Sequence, residues 1–137
     1  ELNSLPIRKR AAYLVQQHIE LYNNNELVIN IMTFLSKPNN IIYANKLLFR
    51  VADLIWGIIG DKSTDFNFYS KRTLLSYVYK TTLLYWVNDE SENKQETWLF
   101  LERRINDVMK LGKIKQNIPN PIKDIKKLPF IRLIFNH

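Results

Sequence analysis

Hydrophobic residues recur along this chain every three to four positions, which is the period of an amphipathic helix and not that of a strand. The pattern predicts five helices separated by short polar segments. A fourth helix is predicted to begin after the polar and aromatic segment that follows Gly60, and to end near Val87. The other four predicted helices cover residues 7–22, 26–35, 40–59 and 94–111.

Prolines and glycines set the predicted helix ends. Ser4 and Pro6 can start the first helix, because a side-chain cap and a fixed φ both suit a first turn. Pro38 closes the second helix, while Gly60 and Gly112 are expected to end the third and the fifth. Scarce glycine and helical spacing throughout predict an all-α fold.

The fourth helix is apolar on two sides, which predicts burial of more than one face. One side can face the core and the other a second subunit or a bound apolar ligand, so a homodimer built mainly from the fourth and fifth helices is expected. The two stripes consist of Leu74, Tyr77, Val78, Thr81 and Tyr85, and of Leu75, Tyr79 and Trp86.

The composition restricts the kinds of protein and functional site that this chain can form. A chain of 137 residues with 46% hydrophobic residues is large enough for one domain with a core. It has no cysteine, which excludes disulfides, thiolate metal sites and cysteine nucleophiles. No apolar run in the sequence approaches the roughly 18 residues that a membrane-spanning helix needs.

The net charge of +7 is concentrated at the carboxyl end. Seven basic residues and a single acidic residue follow position 109, so the rest of the chain carries one net positive charge. A nucleic-acid-binding domain more often spreads basic residues over a folded face. The distribution is typical of a tail that meets an anionic membrane or an acidic partner, or of a tail that only aids solubility.

Catalytic residues are not evident. The two histidines, His18 and His137, lie far apart, and no acid stands at a metal-ligand spacing from either. Asp61 and Asp65 could form a general acid/base pair, but residues of this type between two helices more often cap them. We therefore expect no enzyme activity, no metal and no cofactor.

The segment from Ala52 to Gly112 resembles a known family, the COQ-nine type of accessory protein in ubiquinone (coenzyme Q) biosynthesis. The matching motifs are Asp-x-x-Trp at 53–56, Gly-Asp-x-Ser-Thr-Asp-Phe at 60–66 with Tyr69, a basic pair at 71–72, Tyr-x-Thr-Thr at 79–82 and Thr-Trp-x-Phe-Leu-x-x-Arg at 97–104 with Asp107. The chain departs from the family at Phe68, where a tryptophan is usual.

The resemblance implies a TetR-repressor-like all-α fold, a homodimer and a non-catalytic role. Such proteins bind lipids and present a polyprenylated intermediate to a di-iron hydroxylase at the membrane. Their helix-turn-helix part is expected to precede Glu1, so no nucleic acid is expected to bind this fragment. The expected organisation is a helical lipid-binding domain at 1–117, with its family-matching core at 52–112, and a basic amphipathic tail at 118–137.

The resemblance and the helical pattern together predict three sets of residues. A lipid cavity between the third, fourth and fifth helices is predicted to be lined by Ile58, Tyr77, Val78, Thr81, Phe100 and Ile105. The surface that meets the hydroxylase is predicted to contain Asp53, Ile55, Asp65, Phe68, Tyr69 and Arg72. The membrane-binding residues are predicted to be Lys123, Lys126, Lys127, Phe130, Arg132 and Phe135.

The location and one rival function follow from the same resemblance. The protein is expected to be cytoplasmic and peripheral to the inner membrane, or on the matrix side of that membrane in a eukaryote. The Asn-, Ile- and Lys-rich residue usage favours a bacterial source. The rival function is the ligand-binding domain of a TetR-type transcriptional regulator, which residues upstream of Glu1 would distinguish.

Removal of residues 118–137 is expected to abolish binding to anionic liposomes. Each basic residue near an anionic surface contributes about 1 kcal/mol, and the neighbouring Ile, Leu and Phe side chains add apolar insertion. Liposome flotation of the full and shortened chains tests this. Equal binding by both chains would refute it, and loss of binding at high salt would assign the effect to the basic residues.

Overall fold

The computed structural model describes residues 2–117 of the chain, with the side chains of Asp65, Phe66 and residues 112–117 outside that description. The described part contains five α-helices and no strand, so the predicted all-α class is confirmed. Short 3-10 turns lie at Leu2–Ser4, Pro38–Asn40 and Glu92–Lys94. The helices are α1 (Ile7–Glu20), α2 (Asn25–Leu35), α3 (Ile41–Ile59), α4 (Asp65–Asn88) and α5 (Gln95–Asn117).

Local sequence accounts for most helix ends. The side chain of Asn24 caps α2 by accepting a hydrogen bond of 3.1 Å from the backbone N–H of Leu27. Gly60 ends α3 with a φ of 93°, a left-handed conformation that a residue without Cβ adopts at little cost. Pro6 directly precedes α1, whereas Ser4 lies in the separate 3-10 turn.

Two predicted boundaries are wrong. Helix α4 begins at Asp65, inside the polar and aromatic segment and not after it, which places Phe68 and Tyr69 on its first turns. Helix α5 does not stop at Gly112 but continues to Asn117. A glycine inside a helix costs about 1 kcal/mol, which weakens a helix without ending it.

The helices pack around one core. Helix α3 packs along α4, α4 packs along α5, and α1 contacts both α3 and α5. Helices α1, α3, α4 and α5 each contribute a core residue that is at most 2% exposed: Val15, Ile55, Val78 and Leu101. Burial of an aliphatic side chain of this size contributes about 1.5–3 kcal/mol, so these contacts hold the four helices together.

Helix α4 is the central element. Val78 from one of its predicted stripes and Leu75, Tyr79 and Trp86 from the other are all buried. The stripe of Leu75, Tyr79 and Trp86 therefore faces the core, whereas Val78 is the only buried residue of the other stripe. Tyr85, by contrast, is 36% exposed and stacks on Phe100 of α5 at a centroid distance of 4.6 Å.

Candidate functional site

Arg72 is the centre of a buried ion-pair network that joins the end of α3 to the start of α4. Its side chain is 4% exposed. The guanidinium donates hydrogen bonds of 2.7 Å to Asp53, 3.1 Å to the carboxylate of Asp61 and 3.2 Å to the carbonyl oxygen of Phe68. A planar guanidinium with several donors is suited to such a position between two carboxylates.

Asp61 is the second member of this network, and its side chain is 5% exposed. It accepts hydrogen bonds from the hydroxyl of Ser63, from Lys71 at 2.9 Å and from Arg72. Burial alone would raise the pKa of Asp61, but these hydrogen bonds and the charge of Lys71 outweigh it and hold the pKa well below its usual range. A carboxylate that stays ionised near neutral pH is unsuited to act as a general acid.

The turn between α4 and α5 contains two charged side chains, each of which caps a helix end. The carboxylate of Asp89 accepts hydrogen bonds from the backbone N–H of Thr97 at 2.9 Å and from the N–H of Ser91 at 2.8 Å. The ammonium of Lys94 donates to the carbonyl oxygens of Trp86 and Asp89, both at 2.8 Å. Each charge therefore complements the dipole of the helix end that it caps.

Acidification is expected to destabilise the protein through the carboxylates of Asp61 and Asp89. Burial would raise the pKa of Asp89, but hydrogen bonds from Ser91 and Thr97 lower it, as those at Asp61 do. A pKa lowered by folding adds stability that is fully present above the unfolded-state pKa and is lost as pH falls through the folded-state pKa. The loss should begin below about pH 4.

Melting temperatures measured by circular dichroism from neutral to acid pH test this expectation. The Asp61→Asn variant should start from a lower melting temperature and show a flatter decline, since it lacks one of the titrating groups. Parallel declines in the variant and the natural chain would contradict the assignment to Asp61.

An aromatic surface covers the outer side of the Arg72 network and is formed by Phe49, Phe68 and Tyr69. The guanidinium carbon of Arg72 lies 3.7 Å from the ring centroid of Phe68, a cation–π contact. Phe68 packs edge-on against Tyr69 at 5.1 Å, and Phe49 lies 6.4 Å from the ring of Phe68 and 6.3 Å from that of Tyr69. Tyr69 is 62% exposed, so this surface faces solvent.

The structure separates the residues predicted to meet the hydroxylase. It brings Asp53, Phe68, Tyr69 and Arg72 together at the aromatic surface. Asp53 and Tyr69 are exposed there, Phe68 is half-buried, and Arg72 lies beneath them. Ile55 is 2% exposed and belongs to the core, because it lies on the inward face of α3. The side chain of Asp65 lies outside the described residues.

Sequence reasoning missed Phe49. It lies one helical turn before Asp53 on the same face of α3, and this i,i+4 spacing is the signal that could have found it.

A cleft with a volume of about 770 Å³ lies between α2, α3 and α4. Its walls are mainly apolar, and Val28 and Met32 of α2 face Leu48 and Val51 of α3 and Leu83 of α4 across it. Its volume is in the range of small-molecule sites, which are also mostly apolar with few polar groups.

Tyr22 and Tyr79 contribute polar groups to the wall of this cleft. The hydroxyl of Tyr79 lies 2.7 Å from Nδ1 of His18 and donates to the hydroxyl of Tyr22 at 3.5 Å. Burial raises the pKa of Tyr79, with the hydrogen bond to Tyr22 adding to the shift, so its phenol stays protonated. Burial also lowers the pKa of His18, which favours the neutral imidazole.

The cleft is not the cavity that the sequence predicted, since none of the six predicted lipid-binding residues lines it. Val78 and Ile105 are 0% and 4% exposed and pack within the core. Ile58 is 53% exposed, while Tyr77, Thr81 and Phe100 are half-buried. An apolar helix position can face either a core or a cavity, and the pattern alone does not distinguish the two.

Two further properties of the described residues bear on the class of site. Among the described side chains, no group of three or more acidic or histidine residues is placed to hold a metal ion. In the same part of the chain, every helix is too short or too polar to cross a bilayer. The predicted membrane-binding residues, from Lys123 to Phe135, lie outside the described residues.

Comparison with known proteins gives a match over α3, α4 and most of α5. The sequence model of the COQ9 family matches residues 41–112, just over half of the chain. The human ubiquinone biosynthesis protein COQ9, mitochondrial, is 42% identical over 81 residues, which are 59% of this chain and 26% of the human protein.

Two other relatives show the same pattern. Ubiquinone biosynthesis protein COQ9-A, mitochondrial, of Xenopus laevis is 43% identical over 75 residues, which are 55% of this chain and 24% of that protein. Ubiquinone biosynthesis protein COQ9, mitochondrial, of Drosophila melanogaster is 32% identical over 80 residues, 58% of this chain and 24% of that protein. The matched part thus spans about a quarter of each relative.

The family match includes the Arg72 network, the aromatic surface and the α4–α5 turn. Helices α1 and α2 and the connection between them, which supply His18, one wall of the cleft and Tyr22, precede it.

Proposed function

This chain belongs to the COQ9 family, and from that membership we propose that it serves ubiquinone biosynthesis as a non-catalytic lipid-binding accessory protein. The observation that carries the lipid-binding part is the apolar cleft between α2, α3 and α4. A cleft of about 770 Å³ has room for a folded acyl or isoprenoid segment. Each buried CH₂ of such a segment would contribute about 0.8 kcal/mol.

The non-catalytic part of the proposal is supported by the chemistry of the described residues. Asp61 is paired with two cations and stays ionised, and Asp89 is used as a helix cap. His18 is hydrogen-bonded to Tyr79 and packs edge-on against the rings of Tyr22 and Tyr79. These arrangements stabilise structure and do not position a reacting group.

Extraction of lipid from the purified protein tests the cleft. Ala44 lines the cleft, and Ala44→Trp should fill it and remove most of the lipid detected by mass spectrometry. Lys46→Trp introduces the same side chain at an exposed position of α3 outside this cleft and should leave the lipid content unchanged. Equal lipid content in the two variants would reject the cleft as the lipid site.

The proposed partner is the di-iron hydroxylase of the ubiquinone pathway, bound at the aromatic surface. Exposed Tyr69 beside Phe68 and Arg72 has the composition of an interface centre, in which aromatic residues and arginine carry most of the binding energy. Peripheral contact with an anionic inner membrane, through residues 118–137, would bring the lipid to that partner. The membrane face is the matrix side in a eukaryote and the cytoplasmic side in a bacterium.

A homodimer through α4 and α5 is expected to show in solution. Tyr85 and Leu99 are 36% and 49% exposed, and such apolar surface favours burial against a second copy. Light scattering over a dilution series should give twice the monomer mass, and Leu99→Lys should reduce it. Leu54→Lys, at an exposed position on α3, is the matched control. A monomer at micromolar concentration in the natural chain would contradict the expectation.

A further inference from the structure

Helix α2 is held more weakly than the helices on either side of it in the chain. Val28 is the only buried residue of its eleven, whereas α1 and α3 bury three residues each. Among the described residues, a single side-chain hydrogen bond joins α2 to another helix, from Nδ2 of Asn25 to the carbonyl oxygen of Val87 at 3.5 Å. The ion pairs of the described residues all lie outside α2. Detachment of α2 therefore breaks few interactions.

The apolar residues of α2 are also poorly covered. Its inner face borders the cleft, where Met32 and Leu35 line the wall together with Val28. Four large apolar residues of this helix are more than a third exposed: Leu27, Ile29, Ile31 and Phe34. Because apolar burial is the main favourable contribution to helix packing, a helix that buries so little is released at a small cost.

Non-helical connections flank α2 on both sides. Residues 21–24 precede it, and Asn23 has a φ of 45°, a left-handed conformation that interrupts helical geometry. Pro38 follows it, after Lys37 in an extended conformation. Both connections can rearrange without disturbing α1 and α3, because each of those helices keeps its own buried residues.

We propose that α2 is a lid, which detaches from α3 and α4 and unwinds while α1, α3, α4 and α5 stay packed, and so opens the cleft from one side. Isolated helices shorter than about 12–15 residues are marginal in water, so α2 loses its helical hydrogen bonds once it has left its neighbours. Lids of binding sites belong to the least stable part of a fold. The part of this lid in lipid entry and exit rests on the proposed lipid-binding function, whereas the opening itself does not.

Single cysteines test the lid, because the natural chain has no cysteine. Val28→Cys places a thiol on the inner face of α2 and Val78→Cys places one in the core on α4, at positions that are 1% and 0% exposed. Under native conditions the thiol of Val28→Cys should react with the reagent DTNB about 100-fold faster or more, because only α2 has to open. The thiol of Val78→Cys becomes accessible only when the core helices separate. Ile29→Cys, at an exposed position of α2, gives the rate of an accessible thiol.

Hydrogen exchange of the natural chain gives a second measurement that needs no substitution. Backbone amides of α2 should exchange faster than those of α3, and their exchange should depend only weakly on urea, since local opening exposes little surface. Circular dichroism verifies that the cysteine variants fold.

Equal thiol rates in Val28→Cys and Val78→Cys, or α2 amides as protected as those of α3, would overturn the lid. Lipid recovered from a protein whose α2 stays closed would overturn the lid and leave the lipid-binding function standing. Fast opening of α2 in a protein that contains no lipid would support the lid and count against the lipid-binding function.

Discussion

Replacing Arg72 by methionine is expected to lower the free energy of unfolding by about 3 kcal/mol, the cost of removing one partner from a buried ion pair. Methionine keeps much of the length and apolar volume of the side chain, so the loss reports the charge and its hydrogen bonds. Asp61 would stay buried with Lys71 as its remaining cation, and Asp53 would lose its contact of 2.7 Å. Urea unfolding followed by tryptophan fluorescence measures the change.

Three further variants test whether the lost stability comes from the ion-pair network or from the replacement of any arginine side chain. Arg103→Met removes an exposed arginine of α5 and should cost little. Arg72→Lys should recover only part of the stability, because an ammonium lacks the planar fork that reaches both carboxylates. The double variant Arg72→Met with Asp61→Asn should lose less than the sum of the single losses. A loss at Arg72→Met no larger than that at Arg103→Met would contradict the role of the network.

Tyr69→Asp is expected to weaken binding of the di-iron hydroxylase by about 30-fold or more, which corresponds to about 2 kcal/mol for a hot-spot aromatic residue. Tyr69 is 62% exposed, so its replacement should leave the fold intact. The new carboxylate would be desolvated against the partner, while Arg72 beneath the aromatic surface is already paired with Asp53 and Asp61. Pull-down and surface plasmon resonance with the hydroxylase of the same organism measure the loss.

Tyr13→Asp is the matched control, since Tyr13 is an exposed tyrosine on α1, a helix that contributes no residue to the aromatic surface. Its binding should equal that of the natural chain. Retained binding by Tyr69→Asp would reject the aromatic surface as the partner site. A broadened or shifted thermal transition in Tyr69→Asp would show that Tyr69 supports the fold instead.

The ends and buried faces of the helices were predictable where a single local property of the sequence determines them. Gly60 ends α3 because its φ of 93° favours glycine, and the buried stripe of α4 follows from helical periodicity. The end of α5 was missed because a single glycine at position 112 weakens a helix without providing the left-handed cap that Gly60 provides.

The aromatic surface was largely predictable from the sequence, whereas the cleft was not. The resemblance to the family, carried by short motifs within α3 and α4, brought Asp53, Phe68 and Arg72 into one prediction, and the structure places them together. The cleft depends on how α2 lies across α3 and α4, and this arrangement is set by non-directional apolar contacts. No local pattern predicts the space left between them, so Tyr22 and Leu48 were not identified.

The charged caps at the α4–α5 turn also bear on the order in which the chain folds as it is synthesised. Asp89 and Lys94 fasten two helices that are neighbours in sequence, so this hairpin closes a short loop at small entropic cost. Among the described helices α1 is synthesised first, yet one of the helices against which it packs is α5, at the other end of the described chain. Val15 therefore stays without its full set of native neighbours until Leu101 has been synthesised, and nascent chains that end before α5 expose that face of α1 to chaperones.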